Sequence, residues 1–206
     1  MCGIAGIYCQ DNDRLNLPDI SRKMLNKIQY RGPDDKKIVS IDNFSAGVAR
    51  LSIESLKYGE QPVEDSKYII GFNGEIFNYK ELIDKYQLNS RLVNSEAKLI
   101  LSIFQKKYVN FISELQGQFA IFVFDKEKQE LLLFRDRYGI RPVFYYFDKK
   151  HFLFSSEIKS IVASNVTNFS INHKMIEQIS IFWTGIGNTT ALENVNQLEH
   201  SCYLRY

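Results

Sequence analysis

The chain has 206 residues, with 26 Lys and Arg against 24 Asp and Glu for a formal net charge of +2. That length holds one large domain or two small ones, and the near balance of charge removes nucleic acid as a default partner. A hydrophobic content of 45% that includes 15 Phe and 12 Tyr excludes the disordered class, while the apolar runs are broken by charge before the ~18 residues that a membrane span needs.

Residues 3–9, "GIAGIYC", read as a buried strand, with Cys2 just ahead of it. A cysteine in an apolar strand is more often a small core residue than a nucleophile. Neither an apolar signal segment before Cys2 nor a glycine at position two is present, so lipoprotein and myristoyl readings fail. Residues 17–29 carry Ile20, Met24, Leu25 and Ile28 at helical steps. Next come "RGPDD" at 31–35, a turn fixed by Pro33, and the apolar run "ARLSI" at 49–53, read as a strand. "YIIGF" at 68–72 is a further strand, and the Asn73-Gly74 pair after it is a strong turn signal.

A helix is predicted over 95–108 from Leu99, Ile100, Ile103 and Phe104, with Ser95 as its N-cap. Strands at 119–125, 130–136, 142–147 and 151–156 are separated by short polar turns, which indicates antiparallel hairpins. A last helix is expected over 172–182, after a polar stretch near 165 that is a boundary candidate. Strands apolar on both faces, with helices between groups of them, indicate an α+β fold of two stacked sheets covered by helices.

Three cysteines, Cys2, Cys9 and Cys202, form no Cys-x-x-Cys pair, so neither a disulfide framework nor a zinc site is suggested, and a reducing cytoplasm is the expected compartment. Were Met1 removed, Cys2 would carry a thiol and a free α-amine. Such an amine, of ordinary pKa ~7.7, can take the thiol proton without a histidine. His151, His173 and His200 all lie in the last third and read as surface or cap residues. Acyl transfer also needs donors for an oxyanion, and Asn73 with Gly74 offers a side-chain amide beside a backbone N–H. Arg50, inside an apolar stretch, needs an anionic partner: a ligand carboxylate or an internal ion pair. "FRDRYGIRP" at 134–142 reads as strand-end salt bridges as readily as a site.

In order, "MCGIAGIY", "RGPDD", "ARLSI", "FNGEIFNYKEL", "LQGQFAIFVFD", "FRDRYGIRPVFYY" and "FSSEIKSIV" resemble the glutaminase domain of class II glutamine amidotransferases, nearest the asparagine synthetase branch. The resemblance implies a four-layer αββα sandwich of two mainly antiparallel sheets, the fold of N-terminal nucleophile hydrolases. It implies a glutaminase domain over 2–164 and, over 165–206, an extension like the connector to a synthetase domain. Cys2 becomes the nucleophile and its amine the base, with the Asn73 side chain and Gly74 N–H as oxyanion donors. Arg50 takes the glutamine α-carboxylate, backbone atoms of Leu51, Ser52, Ile53 and Glu54 line the same pocket, and Glu75 helps to hold the amino-acid end.

Departures accompany the resemblance. Where the family shows an aspartate for the substrate ammonium, "VNSEAKLIL" offers Glu96 in the ungapped register, with Lys98 in place of the following glutamate, or Asn94 in a shifted one. The residue before "RGPD", commonly histidine, is Tyr30. No Ser-Gly-Gly-x-Asp-Ser pyrophosphate loop occurs, so ATP and magnesium are expected only in a partner or further synthetase domain. The glutaminase reaction itself calls for no metal or organic cofactor. Glutamine is the expected substrate, and a homodimer is a possible assembly. Two alternatives stand beside this reading: a non-catalytic docking or regulatory module, and an amidotransferase domain serving a phosphosugar acceptor.

Overall fold

The computed structural model describes residues 1–10, 15–53 and 59–206. Its elements run in the order β1 (Gly3–Cys9), α1 (Leu17–Lys27), β2 (Asp35–Ile41), β3 (Phe44–Arg50), β4 (Val63–Glu64), β5 (Tyr68–Ile76), α2 (Tyr79–Lys85) and α3 (Glu96–Lys107). There follow β6 (Gly117–Asp125), β7 (Glu130–Arg135), β8 (Phe144–Phe147), β9 (His151–Ser155), α4 (Ile158–Val162), α5 (His173–Phe182), β10 (Val195–Gln197) and β11 (Tyr203–Arg205). The described strands form a six-stranded sheet, β10-β8-β9-β1-β3-β2, and a five-stranded sheet, β11-β7-β6-β5-β4, with every pairing antiparallel.

The apolar residues of β1 explain the layering. All seven are buried because the strand is covered on both faces. Ile4 and Tyr8 point into the space between the sheets, where they join Phe44, Val48, Phe122, Phe124, Phe152 and Phe154. Ala5, Ile7 and Cys9 point outward, beneath Met24 and Leu25 of α1, Ile28 just after it, and Ile161 of α4. On the other outer face, Leu82 of α2 and Leu99, Ile100, Ile103 and Phe104 of α3 cover Ile70, Phe72, Ile121 and Val123. The result is the expected αββα sandwich. Phe44 stacks on Phe124 across the sheets at 4.1 Å and 3°, and each such buried ring stabilises the fold by about 1.5–3 kcal/mol through area alone.

α3 starts where expected, with the Ser95 hydroxyl accepting from Lys98 N at 3.4 Å. Three other expectations need correction. The strand placed at 49–53 ends at Arg50, its body being the small-residue run Phe44–Arg50, whose alanines and glycine give little local signal. Asn73-Gly74 is not a turn: β5 continues through both, pairing Asn73 with Ala120 and Gly74 with Phe119. Nine consecutive partners on β6 outweigh a two-residue turn preference. No element is predicted from sequence at β2, β4, α2, α4, β10 or β11; β2 has one buried residue and the others are seven residues or shorter, so none displays a full period.

The stretch 165–206 pairs with the body at both sheets, through β10 on β8 and β11 on β7. Among the described residues no helix is long and apolar enough to cross a membrane.

A candidate active site between the sheets

Strand alternation brings the candidate residues into one space. On β3 the even positions Phe44, Ala46 and Val48 face the gap between the sheets, so Arg50 continues that row. On β1 the last pair with β3 is Gly3 with Ala49, and one more step in register sets Cys2 opposite Arg50. Cys2 packs against the intersheet core. From the facing sheet, Ile69 points into the same core and a Cβ on Gly71 would meet the Phe122 ring, so Asn73 also looks into the gap.

The nucleophile candidate is held on two sides. The Arg31 Nε donates to the Cys2 carbonyl at 3.0 Å, and the Cys2 Sγ lies 3.4 Å from the N and 3.7 Å from the O of Leu51. "RGPDD" is the device that arranges this. Gly32 lies so close on β3 that a Cβ would sit 2.2 Å from the Ala49 carbonyl oxygen, and Asp34 Oδ2 accepts from Ser52 N at 2.7 Å. The turn therefore fastens both walls, Cys2 on one side and the chain after Arg50 on the other.

The donor side is built on β5. Phe72 N donates to Gln61 Oε1 at 2.8 Å and Ile76 N to Glu96 Oε1 at 2.6 Å, so even-numbered amides of this strand point away from β6. The partner of Gly74, Phe119, donates its N–H to the Asp136 carboxylate, and its C=O accepts from the Asp136 N–H. The Gly74 N–H therefore lies in the outward row between two amides that side chains have already taken. Glycine is required there, because a Cβ would stand 2.1 Å from the Gln118 carbonyl oxygen. Beside it, Asn73 is 1% exposed and its Nδ2 has no hydrogen-bond partner among the described residues. Leaving such a buried donor unmade costs about 1–3 kcal/mol.

A cavity of about 130 Å³ joins the two sides, lined by Met1, Cys2, Arg50, Leu51, Ile53, Gln61, Asn73, Gly74, Glu75, Glu96 and Arg141, among others. That is below the ~300–1,000 Å³ of sites for drug-sized ligands and suits a molecule of amino-acid size. Glu96 lines it and Asn94 does not; the Asn94 side chain instead accepts from Lys98 Nζ at 3.0 Å. Ser52 is absent from the lining, and Glu54 lies outside the described residues. Cys9 is core, and none of the three histidines lines the cavity.

Three lining or supporting residues were missed from sequence. Gln61 carried no signal, Arg31 was visible only as part of a turn, and Arg141 only as part of "FRDRYGIRP". The last motif is organised by the buried Asp136 carboxylate, which accepts from the backbone N–H groups of Phe119, Tyr138, Ile140 and Arg141 at 2.9–3.2 Å. This loop delivers the Arg141 guanidinium to the cavity, against the Met1 sulfur. Among the described residues no cluster of His, Cys, Asp and Glu has the makings of a metal site.

Comparison with known proteins gives the family and the fold. A family model described as a glutamine amidotransferase domain matches residues 1–206. The chain is 35% identical over 187 residues to asparagine synthetase [glutamine-hydrolyzing] 2 of Bacillus subtilis, covering 89% of this chain and 25% of that protein. It is 32% identical over 169 residues to asparagine synthetase B [glutamine-hydrolyzing] of Escherichia coli, covering 79% and 30%. The chain thus spans about a quarter to a third of the length of these relatives. Among solved structures, a glutamine phosphoribosylpyrophosphate amidotransferase from B. subtilis superposes with a TM-score of 0.67 over 79% of this chain and 43% of that one. At 16% identity that likeness is one of fold.

Proposed function

The chain belongs to the glutamine amidotransferase domain family, and from that premise we propose that it is the glutamine-hydrolysing half of an asparagine synthetase-like amidotransferase. The observation that carries the reading is the Asn73 Nδ2, buried without a hydrogen-bond partner among the described residues on the wall that faces Cys2. A donor left unmade at a cost to stability is what a site prepared for an oxyanion requires.

In this reading Met1 is removed and the Cys2 α-amine becomes free. The amine takes the thiol proton, and the thiolate attacks the side-chain carbonyl carbon of glutamine. The negative charge that forms on the amide oxygen is received by Asn73 Nδ2 and the Gly74 N–H. As the carbon–nitrogen bond breaks, the ammonium returns its proton to the departing nitrogen, and ammonia leaves. Water then attacks the γ-glutamyl thioester, giving its proton to the amine, and glutamate is released with the thiol restored. Arg50 holds the substrate α-carboxylate, and Glu96 and Glu75 serve the α-ammonium end. The ammonia passes to an ATP-dependent synthetase portion or partner, where ATP and magnesium belong; a homodimer is the assembly we propose to test first.

The asparagine synthetase branch is preferred to a phosphosugar acceptor because the relatives at 32–35% identity carry that name. Glu96 on the cavity wall keeps a carboxylate at the ammonium end, which favours an enzyme over a docking module. Intact-mass measurement on protein made without an N-terminal tag tests the scheme, together with glutamate release from glutamine. Loss of Met1 with turnover is the expected result; retention of Met1 would overturn the mechanism, since the amine would belong to the wrong residue.

A further inference from the structure

Cys2 precedes the first residue of β1, so no ladder hydrogen bond fixes it, and removal of Met1 takes away its covalent anchor on the other side. Beyond its peptide bond to Gly3 and its packing on the intersheet core, it is held by the Arg31 Nε on its carbonyl at 3.0 Å and the Leu51 backbone against its sulfur. Arg31 is itself a long side chain reaching across 29 positions, and holding a guanidinium in one place needs an acceptor on its far side. That acceptor is Glu157, whose Oε1 takes Arg31 Nη1 at 2.8 Å, with side chains only 10% and 20% exposed.

Glu157 is fixed in turn from several directions. It sits just before α4, and its N–H donates to Ser155 Oγ at 3.3 Å. The Tyr30 hydroxyl donates to Oε1, and Lys159 Nζ lies 3.0 Å from Oε2. Lys159 also donates to the Tyr30 oxygen at 2.9 Å and stands 4.2 Å over its ring. Burial works to raise the Glu157 pKa, but the hydrogen bonds from Tyr30, Arg31 and Lys159 outweigh it and hold the carboxyl below its usual range, as a charged acceptor. Tyr30, the residue before "RGPD", thus shares this carboxylate with Arg31 and Lys159.

We propose that Glu157 is a positioning residue for the nucleophile, acting through Arg31 on the Cys2 carbonyl, and that Tyr30 and Lys159 hold it in place. The proposal rests on the reading of Cys2 as nucleophile. Because Glu157 does not line the cavity, it acts on where the thiol and amine stand and not on how glutamine is held. A displacement of ~1 Å in a reacting group can cost up to about a hundredfold.

The test is a double-mutant cycle in the untagged full-length protein, with Glu157→Gln, Arg31→Lys and the pair, read by glutamine hydrolysis and, separately, by the rate of iodoacetamide alkylation at Cys2 in peptide maps. Glu157→Gln is expected to lower kcat about tenfold with KM within about twofold, with only a small drop in melting temperature near neutral pH. The double variant should be no more than about threefold below the worse single, because residues in one network do not act additively. Tyr30→Phe, which leaves two of the carboxylate's cationic partners, should cost about twofold. Independent, multiplicative losses would overturn the proposal, as would a Glu157→Gln enzyme with wild-type kcat. If the wild type releases no glutamate while the alkylation rates still show the coupling, the functional reading fails and the positioning role stands. Uncoupled alkylation rates defeat the positioning role whatever the turnover.

Discussion

Asn73 and Gly74 sit within a nine-residue strand paired with β6 along its length, whereas Cys2 lies one residue before β1 begins and is gripped by Arg31 and Leu51 from other segments. In the proposed reading the donors are placed by a strand ladder, and the nucleophile by the Arg31 side chain and the Leu51 backbone, reaching in from other segments. A terminus that must supply a free amine cannot be anchored on both sides by a ladder, so its precision has to come from contacts made across the fold. Damage to the two halves should therefore differ in kind: loss of a donor removes charge stabilisation without moving anything, and loss of a contact around Cys2 moves the reacting atoms.

The largest effect separates the halves most cleanly. Cys2→Ala should remove glutamine hydrolysis by at least about 10³-fold while leaving glutamine binding, measured by calorimetry, within about threefold, since no nucleophile remains but the pocket does. Asn73→Ala should lower kcat by about 10²–10³-fold, the usual cost of one oxyanion donor. Its melting temperature should stay near that of the wild type, because the Nδ2 it loses makes no hydrogen bond among the described residues. A large loss of stability would mean that the donor half is held by Asn73 itself and would break the comparison. Arg50→Gln should act mainly on KM, raising it about tenfold or more through loss of a charged carboxylate contact worth ~1.5–3 kcal/mol, with kcat less affected.

The smallest effect concerns acid. Glu157 has a folded pKa depressed below its unfolded value of about 4.3, so it adds stability above that pH and loses it as pH falls through the folded value. Melting curves should therefore show the wild type ahead of Glu157→Gln near about pH 6, and the gap closing below about pH 4. A gap of constant size would mean that the carboxylate does not hold Arg31 by charge.

Much of the frame was legible in sequence because the strands that build the core are apolar on both faces; runs such as "FAIFVFD" announce a buried sheet without help. The candidate site was named through the resemblance, because Cys2, Arg50 and the Asn73-Gly74 pair each keep a plain structural alternative when taken singly; what the fold adds is that all four line one cavity. What the sequence hid were roles made by distance along the chain. Gln61 caps an amide 11 positions away and Arg31 reaches back 29, and neither leaves a periodic trace. The Asn-Gly pair misled in the other direction, because its local turn preference is the stronger signal in isolation and a full strand partner overrides it.

In the proposed reaction Cys2, with its own amine exposed, attacks the side-chain amide of glutamine. Intact-mass and peptide analysis of the untagged protein after treatment with a chloroketone analogue of glutamine puts that step to the test. One adduct per chain is expected, on a Cys2 that has lost Met1, together with its suppression by free glutamine. An adduct on Cys202 alone, a retained Met1 beneath the adduct, or labelling that glutamine does not slow would contradict it.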